Sequence, residues 1–289
     1  MTDLANAEAI DAWNGVLFEK FNRFRTLVTD GLGIHGLAAV RCLAPKTGAR
    51  VLDIGCGFGD TTLELARRVG SDGHAVGVDA AARFVDEARK DAREAGADNV
   101  EFFVGDVQEV DLGGPYDCIY SRFGTMFFLS PMRAMKNVHA HLAPGGCFAM
   151  VVWRKREDNV WLHAAETCVR EIIPEEEEIV DEPTCGPGPF SMAGADFVSD
   201  VMMHAGFERV CFQRHDADIC IGKNLSDAVE FAMALGPAGE IVRLAGENGE
   251  KKRHLVEAAL RDALAPFVRP SGVFAGSSTW VVTAHKAEA

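Results

Sequence analysis

Val51-Leu52-Asp53-Ile54-Gly55-Cys56-Gly57-Phe58-Gly59-Asp60 decides the fold of this 289-residue chain. A short apolar run over 50–54 enters a Gly-x-Gly-x-Gly turn. It leaves the turn into a helical pattern over 61–69, carried by Leu63, Leu65, Ala66 and Val69. Glycines there allow positive φ and let a ligand approach the backbone closely. The helix start beyond the turn presents unpaired N–H groups. A dinucleotide fingerprint, G-x-G-x-x-G, would place its third glycine at position 60, where this chain has Asp60; the glycine falls one residue earlier. Asp53 at the strand end would repel a pyrophosphate and suits a ligand that carries an ammonium group.

Outward from this turn, strand and helix signals alternate. Strands are predicted at 75–78, 100–104, 116–120 and 147–153, with helices at 81–94 and 132–142, the last stopped by Pro144-Gly145-Gly146. That rhythm implies parallel βαβ units with right-handed crossovers, an α/β doubly wound sheet. Residues 8–44 read as helical, interrupted by Gly31, Gly33 and Gly36. After 153 the rhythm breaks: 154–192 holds Trp161, an acidic run over Glu175–Glu178 that reads as a solvated turn, and Pro183, Pro187 and Pro189. A helix at 193–205, a strand at 208–215, helices at 225–235 and 251–265, and a strand at 278–284 complete the chain. The expected organisation is an N-terminal helical cap over 1–45, a Rossmann-like core over 46–153, an inserted cover over 154–192, and a C-terminal completion of the sheet over 193–289.

Two further carboxylates fall where a nucleoside needs them. Asp79 ends the second strand, where a carboxylate reaches both ribose hydroxyls. Asp106, in Gly105-Asp106-Val107, ends the third, where it can accept from an adenine exocyclic amine. Each alone also suits a turn or a helix cap. Three acids at the ends of three successive strands, with the glycine turn after the first, favour the nucleoside.

These residues, with Leu142-Ala143-Pro144-Gly145-Gly146, resemble the class I S-adenosylmethionine-dependent methyltransferases, in particular the ubiquinone- and menaquinone-methylase-like branch. Trp13-Asn14-Gly15, Ser121-Arg122-Phe123-Gly124-Thr125-Met126-Phe127-Phe128 and Gly188-Pro189-Phe190 extend the resemblance over nearly the whole chain. It implies a mostly parallel seven-stranded sheet with a reversed final strand, and S-adenosyl-L-methionine as cofactor. The loop with Gly55, Cys56 and Gly57 would cradle the methionine moiety beside Asp53. Asp79 and Ala80 would meet the ribose, and Asp106 with the Val107 backbone the adenine. Ser121 and Phe123 would lie near the sulfonium, and Trp13 would close over it or serve as a core anchor. Cys56 reads as a small filler of the turn rather than a nucleophile.

Methyl transfer to oxygen or nitrogen can require a base. His163 in the insertion is the first candidate and His35 the second. Arg122 would orient an acidic acceptor or form a structural ion pair. Phe18, Phe21, Met126, Trp161 and Phe190 offer apolar walls that suit a small aromatic or lipid-like acceptor. The net charge of −14 opposes a nucleic-acid substrate. The eight cysteines, at 42, 56, 118, 147, 168, 185, 211 and 220, form no C-x-x-C pair, so no metal is expected. Met1–Ile10 is not an apolar signal sequence, and no run is long enough to span a membrane, which points to the cytoplasm. Two alternatives stand beside methyl transfer: different chemistry on the same cofactor, and a nicotinamide-dependent oxidoreductase.

Overall fold

The computed structural model describes residues 2–174 and 188–288; the acidic run Glu175–Glu178 lies outside them. In chain order the elements are α1 (Thr2–Ala12), α2 (Phe18–Arg23), α3 (Leu32–Leu43), β1 (Arg50–Ile54), α4 (Asp60–Val69), β2 (His74–Asp79), α5 (Ala82–Glu94), β3 (Val100–Val104), β4 (Tyr116–Arg122), α6 (Pro131–His141), β5 (Leu142–Trp153), α7 (Val160–Ile172), α8 (Ala195–His204), β6 (Glu208–Gly222), α9 (Leu225–Leu235), α10 (Pro237–Leu244), α11 (Gly246–Leu264), β7 (Val268–Arg269) and β8 (Gly272–His285). Short π-helical turns, Trp13–Leu17 and Leu27–Gly31, join α1 to α2 and lead into α3.

One sheet runs β3-β2-β1-β4-β5-β8-β6, and the two-residue β7 pairs with β8. β1 to β5 are parallel, and β8 is antiparallel to both β5 and β6. This is the Rossmann-like methyltransferase fold, seven principal strands with the last reversed, with β7 added as a short hairpin arm. The strand order reverses between β1 and β4, so the crevice beyond their carboxyl ends is where a doubly wound sheet binds its ligand.

Three elements differ from the pattern-based expectation. Gly33 and Gly36 lie inside α3 rather than breaking it. A Cβ on Gly36 would stand 2.8 Å from both Arg122 Cδ and the Tyr120 hydroxyl, so glycine there lets the helix close onto β4. β6 and β8 run to Gly222 and back to Gly272, longer than predicted. In their added ladder exposed Asp216 and Asp218 alternate with the more buried Ala217, Ile219 and Ile221, while Gly272 and Gly276 thin the apolar pattern of β8. α10 was not expected; Pro237 at its start and its short length hide it.

Among the described residues the apolar core falls into two large clusters and a third, with Val40, Val51, Leu65, Val69 and Val151, between the sheet and α3 and α4. The larger lies under the parallel strands, with Leu52, Ile54, Val76, Ile119, Met135, Phe148 and Val282. The second is built on the extended ends of β6 and β8, with Ile219, Ile221, Val273 and Ala275 packed against α7, α9, α10 and α11. α7 commits Trp161, Leu162, Ala165 and Val169 to this second core, where Trp161 stacks on Phe231 with centroids 5.6 Å apart. Among the described residues no helix is long and apolar enough to cross a membrane.

Candidate functional site

The site grows from the carboxyl end of β1. Gly55 has φ +66°, and a Cβ there would stand 3.0 Å from Gly124 Cα, so the loop after β1 and the loop after β4 touch at this glycine. Ser121, fully buried, donates to the Ile54 carbonyl at 2.8 Å and ties β4 to the same turn. Asp53 is 2% exposed and accepts from Thr62 Oγ1 at 2.8 Å. Burial pushes its carboxyl up to about 7, against the lowering influence of Thr62 and Arg122. A buried carboxylate with so little compensation is a ready partner for a cation. Cys56 is also buried, packing with Val85, Ala88 and Phe102, and burial pushes its thiol well up; it is a filler with no nucleophilic character.

Asp79 ends β2. Its Oδ2 accepts from the Gly57 N–H at 3.0 Å and its Oδ1 from the Ala81 N–H at 2.9 Å. The carboxylate thus fixes the glycine loop and the start of α5 together, and each oxygen keeps a second lone pair for a ligand hydroxyl. Ala80 lies between these contacts, partly buried. Asp106, beyond β3, accepts from the Gln108 N–H at 2.9 Å and from Asn6 Nδ2 at 2.6 Å. Val107 is buried in the main core, its carbonyl accepting from Asn137 Nδ2 at 2.8 Å. Trp13 is partly buried among Phe21, Phe84 and Phe127, with centroids 5.3, 6.3 and 4.9 Å away.

The structure therefore brings Asp53, Gly55, Gly57, Asp79, Asp106 and Ser121 to the ends of adjacent strands. Phe123 is there too, at φ +57°, a left-handed conformation rare outside glycine. It stacks on Trp153 at the end of β5, with centroids 4.4 Å apart and planes at 24°. Arg122 is mostly buried and binds Asp60 at 2.8 Å, so it joins β4 to the first turn of α4. Asp60, foremost, raises its pKa against the opposing effect of burial. His163 is exposed on α7, and no polar partner is found for its ring among the described residues.

Trp153, Thr62, Gln108 and Asn6 escaped the sequence reading. Gln108 had a signal, being a polar residue two positions beyond Asp106, whereas Thr62 stands nine residues beyond Asp53, in the first turn of α4. Nothing local marks Asn6 or Trp153.

His35 is fully buried between α3 and the sheet. Its Nε2 lies 2.7 Å from Ser277 Oγ and its Nδ1 2.8 Å from His215 Nδ1. Ser277 donates its own proton to the Ala217 carbonyl, so His35 Nε2 donates to Ser277, and Nδ1 is the acceptor, with His215 Nδ1 and Thr279 Oγ1, 3.0 Å away, as its donors within reach. Both ring nitrogens are engaged, which leaves no free lone pair for an acceptor proton. Burial, with His215 next, lowers its pKa to about 4. The unfolded chain then binds more protons between about pH 4 and 6.5. His35 thus withdraws stability as pH falls through that window, by up to about 3 kcal/mol. His35→Gln should gain on the wild-type protein between pH 7 and pH 4 in denaturant titrations. A difference between the two that stays constant with pH would show that His35 is not held neutral.

A methyltransferase-domain family model matches residues 51–146, the stretch from the start of the glycine turn to Pro144-Gly145-Gly146. Residues 51–146 thus have the pattern of a methyltransferase domain. This domain is similar to aklanonic acid methyltransferase DauC from a Streptomyces species, 33% identical over 126 residues, 42% of this chain and 57% of the relative. It is also similar to a carboxy-S-adenosyl-L-methionine synthase from Chromohalobacter salexigens, 34% identical over 139 residues, 45% of this chain and 50% of the relative. The chain thus spans about half the length of these curated relatives. Over 90% of its length it shares the fold of the YcgJ protein from Bacillus subtilis, with TM-score 0.57, 18% identity and 99% of that chain covered. The methyltransferase domain holds β1 to β4, the start of β5, and all three acids of the crevice.

Proposed function

We propose that the protein binds S-adenosyl-L-methionine in the crevice beyond β1 to β4 and transfers its methyl group to a small apolar or aromatic acceptor. The observation that carries this reading is the row of Asp53, Asp79 and Asp106 at the ends of three adjacent parallel strands, beside a glycine turn that leaves room for a ligand. The donor set fits the cofactor. Buried Asp53 takes the ammonium, Asp79 with Ala80 takes the ribose hydroxyls, and Asp106 with Val107 takes the adenine. Gly55, Cys56 and Gly57 form the wall under the methionine chain.

The cofactor supplies an electrophilic methyl on sulfur; this chain's residues supply position and exclude water. Ser121 holds β4 against the glycine turn. Phe123 and Trp153 wall the end of the crevice toward α3, and Trp13 sits over it within the aromatic cluster. Arg122 is assigned a positioning role through Asp60. An exposed His163 is available only to an acceptor that reaches α7. The acceptor is placed among small molecules on the precedent of the aklanonic acid enzyme. The net charge and the unpaired described cysteines agree with a cytoplasmic protein that does not bind nucleic acid.

Calorimetric titration with S-adenosylmethionine, S-adenosylhomocysteine and NAD tests the cofactor. Both sulfur nucleosides should bind. Asp79→Ala, which removes two charged hydrogen-bond acceptors from the ribose, should weaken them by about 100-fold or more. Binding of NAD alone would sink the proposal. The likeness to the carboxy-S-adenosyl-L-methionine synthase supports a second reading, modification of the cofactor itself. Product analysis separates the two: a methylated aromatic acceptor with S-adenosylhomocysteine, or an altered S-adenosylmethionine.

A further inference from the structure

Phe123 holds its left-handed φ of +57° while Gly124 beside it takes an ordinary helical φ of −86°. The glycine is needed for contact: a Cβ on Gly124 would stand 3.0 Å from Ser121 Oγ and 3.2 Å from Gly55 Cα. The backbone strain falls instead on the aromatic residue, where a Cβ makes it unfavourable. The Phe123 N–H still donates to the Val151 carbonyl at 2.9 Å. The residue therefore stays tied to β5 while its ring turns onto Trp153 at the end of that strand.

The ring is held from two sides. Trp153 stacks on it, with centroids 4.4 Å apart and planes at 24°. His35 meets both rings edge-on, with centroids 6.3 Å from Phe123 and 6.1 Å from Trp153. Trp153 is 7% exposed and His35 fully buried, its nitrogens engaged by Ser277, His215 and Thr279, so the support is fixed. Phe123 itself is only partly buried, and it stands one residue from the contact between Gly124 and Gly55. Neither neighbouring base puts a free positive charge here. Burial keeps His35 neutral, its pKa lowered to about 4, and Arg122 is paired with Asp60 at 2.8 Å.

We infer that the Phe123–Trp153 stack is a charge-selective platform: the face of Phe123 turned away from Trp153 receives the sulfonium, and so holds the charged methyl donor by a contact that the neutral thioether product lacks. An aromatic face is the negative end of a ring quadrupole and attracts a cation, most strongly where water is displaced. Transfer breaks the S–CH₃ bond and returns its electron pair to sulfur, so the attraction ends with the reaction. Phe123 is the contact residue. Trp153 and His35 are positioning residues that keep its ring, and the strained backbone under it, in place. The inference rests on the cofactor reading above.

The test titrates S-adenosylmethionine and S-adenosylhomocysteine by calorimetry into wild type, Phe123→Leu, Phe123→Tyr and Trp153→Leu. Leucine keeps an apolar surface and the same Cβ strain but has no π face. Phe123→Leu should bind S-adenosylmethionine about fivefold or more weakly, with S-adenosylhomocysteine changed by less than about twofold. Phe123→Tyr keeps the ring and should keep the wild-type ratio of the two affinities. Trp153→Leu should shift that ratio in the same direction as Phe123→Leu, because it frees the Phe123 ring. A role in packing alone would weaken both ligands equally. Equal weakening of the two ligands in Phe123→Leu, or an unchanged affinity for both, would overturn the platform alone, whatever Trp153→Leu does. Failure of the wild-type protein to bind either ligand would overturn the cofactor reading, and the platform with it.

Discussion

Asp53→Asn should melt at a higher temperature than the wild-type protein at pH 8 while losing most of its affinity for S-adenosylhomocysteine. Asp53 is buried at the end of β1, and its pKa stands at about 7 rather than in the usual carboxylate range. A folded-state pKa raised above the unfolded value means that the unfolded chain binds fewer protons. Stability is then greatest at acid pH and falls as pH rises from about 4 to 7. Above that window the charge costs on the order of 3 kcal/mol. Asparagine removes the charge and still accepts from Thr62, and Arg122 keeps Asp60 as its partner. For a chain of this size the gain corresponds to a rise in Tm of about 5–10 °C. The same substitution removes the counter-charge proposed for the ligand ammonium, so stability and binding should move in opposite directions. This is the trade expected where a site keeps a strained group for function. His35 acts with the opposite sign between about pH 4 and 6.5, so the wild-type protein should show a shallow pH dependence there. Asp53→Asn should uncover the steeper loss on acidification that belongs to His35. Denaturant titrations at pH 5 and pH 8 check this, and a variant no more stable than wild type at pH 8 would show that burial does not burden Asp53.

Gly59→Ala should destabilise the protein by about 2–4 kcal/mol, whereas Gly96→Ala should cost about 1 kcal/mol. Both glycines have positive φ, +77° and +63°. They differ in surroundings. A Cβ on Gly59 would stand 2.8 Å from Ala88 Cβ and 2.8 Å from Phe102 Cε1, whereas a Cβ on Gly96 would meet nothing within 4 Å. Gly96→Ala therefore reads the backbone penalty by itself, and the excess at Gly59 reads the packing of the glycine turn against α5 and β3. Ala88 and Phe102 belong to a small buried cluster with Cys56, so relaxation there would move the turn proposed to face the ligand. Chemical denaturation gives both numbers. Equal costs at the two positions would mean that the turn yields without strain, and that Gly59 serves backbone conformation alone.

The local sequence determined the parallel half of the sheet and most of the crevice proposed here for the ligand. Val51 to Asp60 states its own structure, because a strand, a turn that needs positive φ and a helix start each leave a short-range signature. Asp79 and Asp106 were legible for the same reason: each ends a predicted strand, and a doubly wound sheet puts strand ends at its crevice. The full length of the β6 and β8 ladder was not legible, because its stability comes from pairing between segments some sixty residues apart. The N-terminal glycines misled for a related reason. Gly36 breaks a helix by propensity, yet α3 runs through it because Arg122 and Tyr120 press against that face. Side-chain commitments were decided only in three dimensions. His35 carries no sequence mark that both its nitrogens would be taken by Ser277 and His215, and Arg122 none that it would settle on Asp60. Asn6 reaches Asp106 across a hundred residues. Backbone signatures are local and can be read along the chain, whereas the partner of a buried donor is fixed only when the tertiary fold brings an acceptor within about 3 Å.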